Sequence, residues 1–276
     1  MNRILLLTKN AFRSILHARS LYLWLLAILL IAVRLLPLLL IPNPTGPPPG
    51  TTGMNPAMQA RFAEIIKNRR PNSLAGGLND WSVLCIVFGI LVGANALATE
   101  LKAKTIITTL ARPVLRWELL FGKWIAIQLF AMVSLSIGLA LFKAAAAYFE
   151  VEFSGIVWLA LAHALVATML YSAIAIAFST VISPAVSGAL AVLLAFLPGF
   201  VTVLLGDAGR FRHSLGVVLD YVVPPGYSNL YTFAVRAGTV LDYNAQSKPL
   251  FENLGYCAIF FVAGCLLFSK REIRLG

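Results

Sequence analysis

The chain has 276 residues, of which 59% are hydrophobic and 12% charged, with a formal net charge of +11. Soluble domains average about 25% charged residues, and here the apolar residues gather in blocks too long for a soluble core to hide. The basic excess sits around those blocks with no interleaved basic and aromatic module, so a nucleic-acid partner is excluded.

The N-terminal segment, residues 2–19, predicts an amphipathic helix. Leu5, Phe12 and Leu16 give an apolar stripe, and Lys9, Arg13 and Arg19 a basic one. Such a helix lies at an inner membrane interface beside anionic headgroups. Six apolar blocks follow: Ser20–Ile41, Trp81–Ala98, Leu119–Phe142, Ile156–Ile182, Ala185–Gly206 and Asn253–Ser269. Each is near the length, about 20 residues, that carries a helix across hydrocarbon. The first is too long for a cleavable signal core. The expected fold is therefore an all-α integral membrane protein with six transmembrane helices in a single domain, residues 1–276.

Between the first two blocks, residues 42–80 form a long outer segment. It opens as a proline-rich stalk, PNPTGPPPG. Asn55-Pro56 then starts a helix, with Asn as cap and Pro at its first position. Met58, Phe62, Ile65, Ile66 and Arg69 fall near one side, and Pro71 is expected to end it. In the second block, Gly89 and Gly93 are spaced for close helix approach, within or between subunits. Residues Thr99–Trp124 connect the second and third blocks. Ala103, Ile106, Ile107 and Leu110 share a helical face, Arg112-Pro113 breaks it, and a short piece, Leu115–Lys123, leads into the third block. Ser183-Pro184 makes a tight turn between the fourth and fifth. The second outer segment, residues 207–252, reads as re-entrant or interface-lying helices around Pro224-Pro225.

An even number of spans puts both termini on one side. With that side taken as cytoplasmic, it carries twelve basic and three acidic residues, against nine basic and eight acidic opposite. The orientation rule then places both termini in the cytoplasm.

Catalytic chemistry finds no support. There is no HExxH, no G-x-S-x-G, no intramembrane carboxylate pair and no Cys spacing for a metal. The three cysteines sit in apolar blocks as buried thiols. The one Gly-Lys pair, Gly122-Lys123, is followed by Trp124 and lacks the glycine-rich loop of a phosphate site. Arg34 and His163 are polar groups at membrane depth. They are candidate pathway residues, set against the simpler readings of a snorkelling arginine and a hydrogen-bonded structural histidine.

The connection resembles the cytoplasmic loop of type 2 (ABC-2) exporter permeases. That loop runs from an acidic residue through Gly-Thr and a leucine-rich turn to Arg-Pro-Val-x-Arg, and closes on Gly-Lys. Glu100, Thr105, Leu110, Arg112, Pro113, Val114, Arg116, Glu118, Gly122 and Lys123 stand at those places, and Lys104 replaces the usual glycine. The basic N-terminal helix, the closing FSKREI and the six-span layout are similar too. The resemblance implies a permease subunit of an ABC exporter in the plasma membrane. ATP and magnesium would belong to a separate ATPase subunit, and the chain itself would need no cofactor. Glu100, Thr105, Ile106, Leu110, Arg112, Pro113 and Arg116 would form the coupling contact with that ATPase. Re-entrant helices over Leu215–Leu241 would lie near the outer gate. The further partners implied are a second permease copy or homologue, membrane lipids and an outer accessory protein. The alternatives are a non-transporting membrane scaffold linked to an ATPase, and an intramembrane enzyme.

Overall fold

A computed structural model describes residues 2–17, 55–97, 115–205, 230–234 and 243–270. Every regular element among them is an α-helix: α1 (Asn2–His17), α2 (Pro56–Asn95), α3 (Arg116–Tyr148), α4 (Ile156–Ser179), α5 (Pro184–Leu205), α6 (Tyr231–Ala234) and α7 (Tyr243–Lys270). Four stretches are long and apolar enough to cross a membrane: Pro71–Asn95, Arg116–Tyr148, Ile156–Ser179 and Gln246–Lys270. A shorter apolar stretch, Pro184–Leu197, lies in α5. The predicted first span and the proline-rich stalk lie outside the described residues.

The helices outrun the apolar blocks. α2 starts at the predicted cap, where Asn55 Oδ1 accepts from the Ala57 amide at 3.2 Å and Pro56 takes the first position. It does not end at Pro71. It continues through that residue to Asn95, a 40-residue helix of about 60 Å. Proline in a helix interior costs about 3 kcal/mol. Leu74, Leu78 and Trp81, all buried just beyond it, each offset that by about 1.5–3 kcal/mol. The segment assigned outside up to Asp80 is therefore already in the bundle. Likewise, α7 begins at Tyr243 rather than Asn253 and runs through Pro249. The short piece at Leu115–Lys123 is not separate, because α3 is continuous from Arg116 to Tyr148. Once nucleated, a helix adds polar residues at little cost, so its ends lie beyond the edges that hydropathy marks.

α4 is the central helix. Its buried side chains run along nearly its whole length, and α2, α3, α5 and α7 all pack on it. Pro184 opens α5 at the turn, and Ser187 Oγ donates to the Ala175 carbonyl at 2.6 Å, tying α5 to α4. Away from α4, apolar side chains face outward: Leu129, Met132, Val133, Ile137 and Leu141 form one stripe on α3, and Ile259, Val262 and Leu266 another on α7. Stripes this long are unusual on a soluble monomer and fit hydrocarbon.

The bundle has two ends. One gathers α1, the C-termini of α2 and α7, and the N-terminus of α3, around Ile15, Leu97, Leu119, Leu120 and Phe268. The other gathers α6 with Leu74, Trp81, Phe142 and Ile156. They are called the α1 end and the Tyr231 end below.

Candidate functional site

The α1 end is organised by the first two turns of α3. Glu118 Oε2 accepts from the Leu115 amide at 3.0 Å and fixes where the helix begins; its negative charge also suits a helix N-terminus. Arg116 then donates through one guanidinium nitrogen to two consecutive carbonyls of α7, Phe268 at 3.2 Å and Ser269 at 3.0 Å. Its guanidinium also stands 6.0 Å from the centre of the Phe268 ring. These carbonyls belong to the last turn of α7, where partners within the helix run out and positive charge is favoured. Two turns on, Lys123 Nζ donates to the carbonyl of Ala96, the C-cap of α2. Two cations of one helix thus hold the C-termini of two others.

Gly122 has a steric role between them. A Cβ there would lie 2.9 Å from Leu7 Cβ and 3.4 Å from the Thr8 amide nitrogen, so glycine lets the α1 backbone lie directly on α3. The face of α1 turned to the bundle is Leu7, Thr8, Ala11, Phe12 and Ile15. This corrects the predicted stripe: Leu5 is 63% exposed and stands beside exposed Leu6 and Lys9 on the opposite face. A helix pressed between bundle and interface needs two apolar faces, which a single stripe misses.

Gly89 and Gly93 both turn toward α4 of the same chain. A Cβ on Gly89 would meet Thr168 Cγ2 at 2.7 Å, and one on Gly93 would meet the Ser172 carbonyl oxygen at 3.0 Å. Close approach of α2 to the central helix needs both glycines. Beside them, Gln128 Nε2 donates to Ser172 Oγ at 2.9 Å, and Trp124 Nε1 to the Met169 carbonyl at 3.2 Å.

His163 is 3% exposed, and its Nε2 lies 3.0 Å from the Gln246 carbonyl of α7. A carbonyl only accepts, so that nitrogen carries the proton. The bond reaches α7 one turn before Pro249, whose missing N–H interrupts the backbone ladder. Of the other predicted site residues, Arg34, Glu100, Thr105, Ile106, Leu110, Arg112 and Pro113 lie outside the described residues, as does most of Leu215–Leu241. Among the described residues no group of three or more His, Cys, Asp or Glu is placed to hold a metal. Cys85 and Cys257 are buried free thiols, and Cys265 is half-buried.

Sequence reasoning missed the packing of the Tyr231 end. Gly77 receives the Phe142 ring, whose Cε1 lies 2.6 Å from where a Cβ would be, and Gly138 receives the Trp81 indole. The pairs are reciprocal: α2 offers Gly77 and Trp81, and α3 offers Gly138 and Phe142. The signal was a glycine four residues before an aromatic in both helices. Trp81 Nε1 donates to the Ser134 carbonyl at 3.0 Å. Tyr231, fully buried, shares a 2.7 Å hydrogen bond with Ser82 Oγ. The Ser154 amide donates to the Ala234 carbonyl at 2.7 Å and secures the other end of α6.

Comparison with curated proteins finds no match. The profile of the ABC-2 family transporter protein matches residues 12–273, nearly the entire chain. Together with the apolar bundle, this match identifies a multi-pass membrane permease subunit of an ABC transporter, and the chain belongs to the ABC-2 family of transporter proteins.

Proposed function

We propose that this permease is an exporter subunit driven by a separate ATPase that docks on residues 98–114. The carrying observation is the α1 end itself. Both stems of that segment are anchored there, Ala96 by Lys123 and the start of α3 through Arg116. A push on the segment therefore acts on α2, α3 and α7 together. The chain has no phosphate-binding loop, so in this reading ATP and magnesium are held by the partner and work arrives through a protein contact. Six spans, with Ser20–Ile41 as the first, put both termini and the α1 end in the cytoplasm. The basic excess of the N-terminal tail and the 98–114 segment supports that orientation. The membrane is then the plasma membrane, and a second copy or a homologue completes the pathway. An accessory protein on the outer side is compatible with the long segments there.

Ile106 and Leu110 serve as apolar anchors in a groove of the ATPase, with Glu100 and Arg112 setting register. Loss of a central anchor costs about 2 kcal/mol or more of binding. The test is Ile106→Asp with Leu110→Asp, followed by purification from mild detergent. The expected result is normal membrane insertion with the ATPase lost. Co-purification at wild-type yield would overturn the docking assignment. A stable companion that is not an ATPase would favour a scaffold role.

A further inference from the structure

We propose that the Tyr231 end binds a phospholipid whose headgroup bears a primary amine, at a site built from Lys143 of α3, Trp158 of α4 and the carboxylates of Glu150 and Glu152. The inference rests on the membrane-spanning bundle and is independent of the ATPase docking.

The apolar stripe on α3 ends at a cation. Lys143 is exposed on the same side of the helix as Leu129 and Met132, in line with them at helical spacing. From Lys123 to Lys143, α3 covers about 30 Å, the thickness of the hydrocarbon layer. Lys143 therefore stands at headgroup level, opposite the α1 end. Trp158 stands there too. It is 61% exposed, on a helix otherwise buried along nearly its whole length, and an exposed tryptophan suits the headgroup layer. The Lys143 ammonium lies 5.0 Å from the centre of the Trp158 ring. That contact fixes a positive charge at the lip of the stripe.

Beyond Lys143 the chain supplies negative charge. Glu150 follows the end of α3 and is exposed. In the next residues Val151 and Phe153 pack on the core, and Glu152 between them is exposed. Among the described residues neither carboxylate is in an ion pair. A lipid with its acyl chains on the stripe would meet Lys143 with its phosphate, and the carboxylates with the outer part of its headgroup. The order of charges sorts the headgroup classes. An acidic headgroup gains one cation but faces two carboxylates. A quaternary ammonium has no hydrogen to donate, and Lys143 occupies the Trp158 ring that would take it. A primary ammonium donates charge-assisted hydrogen bonds to the carboxylates while the phosphate accepts from Lys143.

The test uses the full chain, purified in mild detergent and titrated with phosphatidylethanolamine, phosphatidylglycerol or phosphatidylcholine of matched acyl chains. Binding is read by native mass spectrometry. Phosphatidylethanolamine should bind tightest. Lys143→Ala should weaken it about tenfold, the loss of one charge-assisted contact. Lys143→Met, which keeps most of the stem, carries the same expectation should the alanine variant not accumulate. Lys248→Ala is the control, an exposed lysine of α7 paired with Glu252, and should leave binding unchanged. Glu150→Gln with Glu152→Gln should erase the preference over phosphatidylcholine and strengthen phosphatidylglycerol. Tightest binding of either other lipid in wild type overturns the proposal. So does unchanged phosphatidylethanolamine binding without the Lys143 charge, an equal loss in Lys248→Ala, or a preference that survives removal of both carboxylates.

Discussion

At the α1 end, cations on α3 reach the C-terminal carbonyls of two other helices. At the Tyr231 end, aromatic rings fill notches left by glycines. Both ends hold α2 and α3, but the chemistry differs in how it fails. Arg116 and Lys123 carry long side chains whose charged heads can exchange a carbonyl for water without opening a cavity. Trp81 and Phe142 cannot move without leaving a void or striking a backbone. The Tyr231 end is thus suited to hold the bundle's geometry and the α1 end to change it. A permease driven from one side needs both properties, at opposite ends.

The largest effect should come from emptying a notch. Trp81 is 2% exposed, fills the space above Gly138 and donates to Ser134. Trp81→Ala removes ring and bond together and should cost about 3–5 kcal/mol. Thermal unfolding in mild detergent reads this as a large fall in Tm. A cost within the range of ordinary surface substitutions, about 0.5 kcal/mol, would mean that the aromatic end does not hold the bundle.

A smaller and more local effect is expected at the α1 end. Gly122→Leu places a side chain where Leu7 and the Thr8 backbone lie. Overpacking of this kind costs about 1–3 kcal/mol, and here α1 can lift away to relieve it. Hydrogen exchange should rise across residues 2–17 and stay unchanged across 74–82. Equal acceleration of both would show that the two ends are not independent and would collapse the contrast between them.

Much of this arrangement was legible in the sequence, for identifiable reasons. Length and hydropathy place four of the six expected blocks on helices long and apolar enough to cross a membrane, because a span has to be apolar whatever its neighbours are; the fifth holds only a shorter apolar stretch, and the first lies outside the described residues. The Asn55-Pro56 start was readable because capping is local. Helix ends were not. Pro71 and Pro249 look like stops, yet both lie inside helices whose burial elsewhere outweighs a lost backbone bond. The resemblance put Arg116 at a contact with the ATPase, and Lys123 stood at the end of the short piece before the third block; the partners they have within the chain were not readable, because backbone carbonyls have no residue signature. The glycines were ambiguous for a related reason. A small residue announces that something comes close but not what, so Gly89 and Gly93 could have faced another subunit, and Gly122 matched the close of the family's loop without showing that α1 lies on it.

The smallest predicted effect has the opposite sign and concerns a glycine that is missing. Glu150, just past α3 at the Tyr231 end, has φ of 56°, in the left-handed region. Its place is set by the hydrogen bonds that close the helix: the Val151 amide donates to Ala146 at 2.9 Å and the Glu150 amide to Ala147 at 3.3 Å. This is the Schellman pattern, in which the left-handed position is usually glycine. A side chain there costs roughly 1–2 kcal/mol, and Glu150 is exposed with nothing packed to offset it. Glycine removes that strain but adds chain entropy to the unfolded state, worth roughly 0.5–1 kcal/mol. The net gain for Glu150→Gly should be about 0.5 kcal/mol, seen as a small rise in Tm. Glu150→Ala is the control, since it removes the charge and keeps the Cβ. If alanine raises Tm as much as glycine, charge and not backbone geometry is responsible. If neither does, the turn after α3 relaxes without cost, and the Tyr231 end is less rigid than its aromatic packing implies.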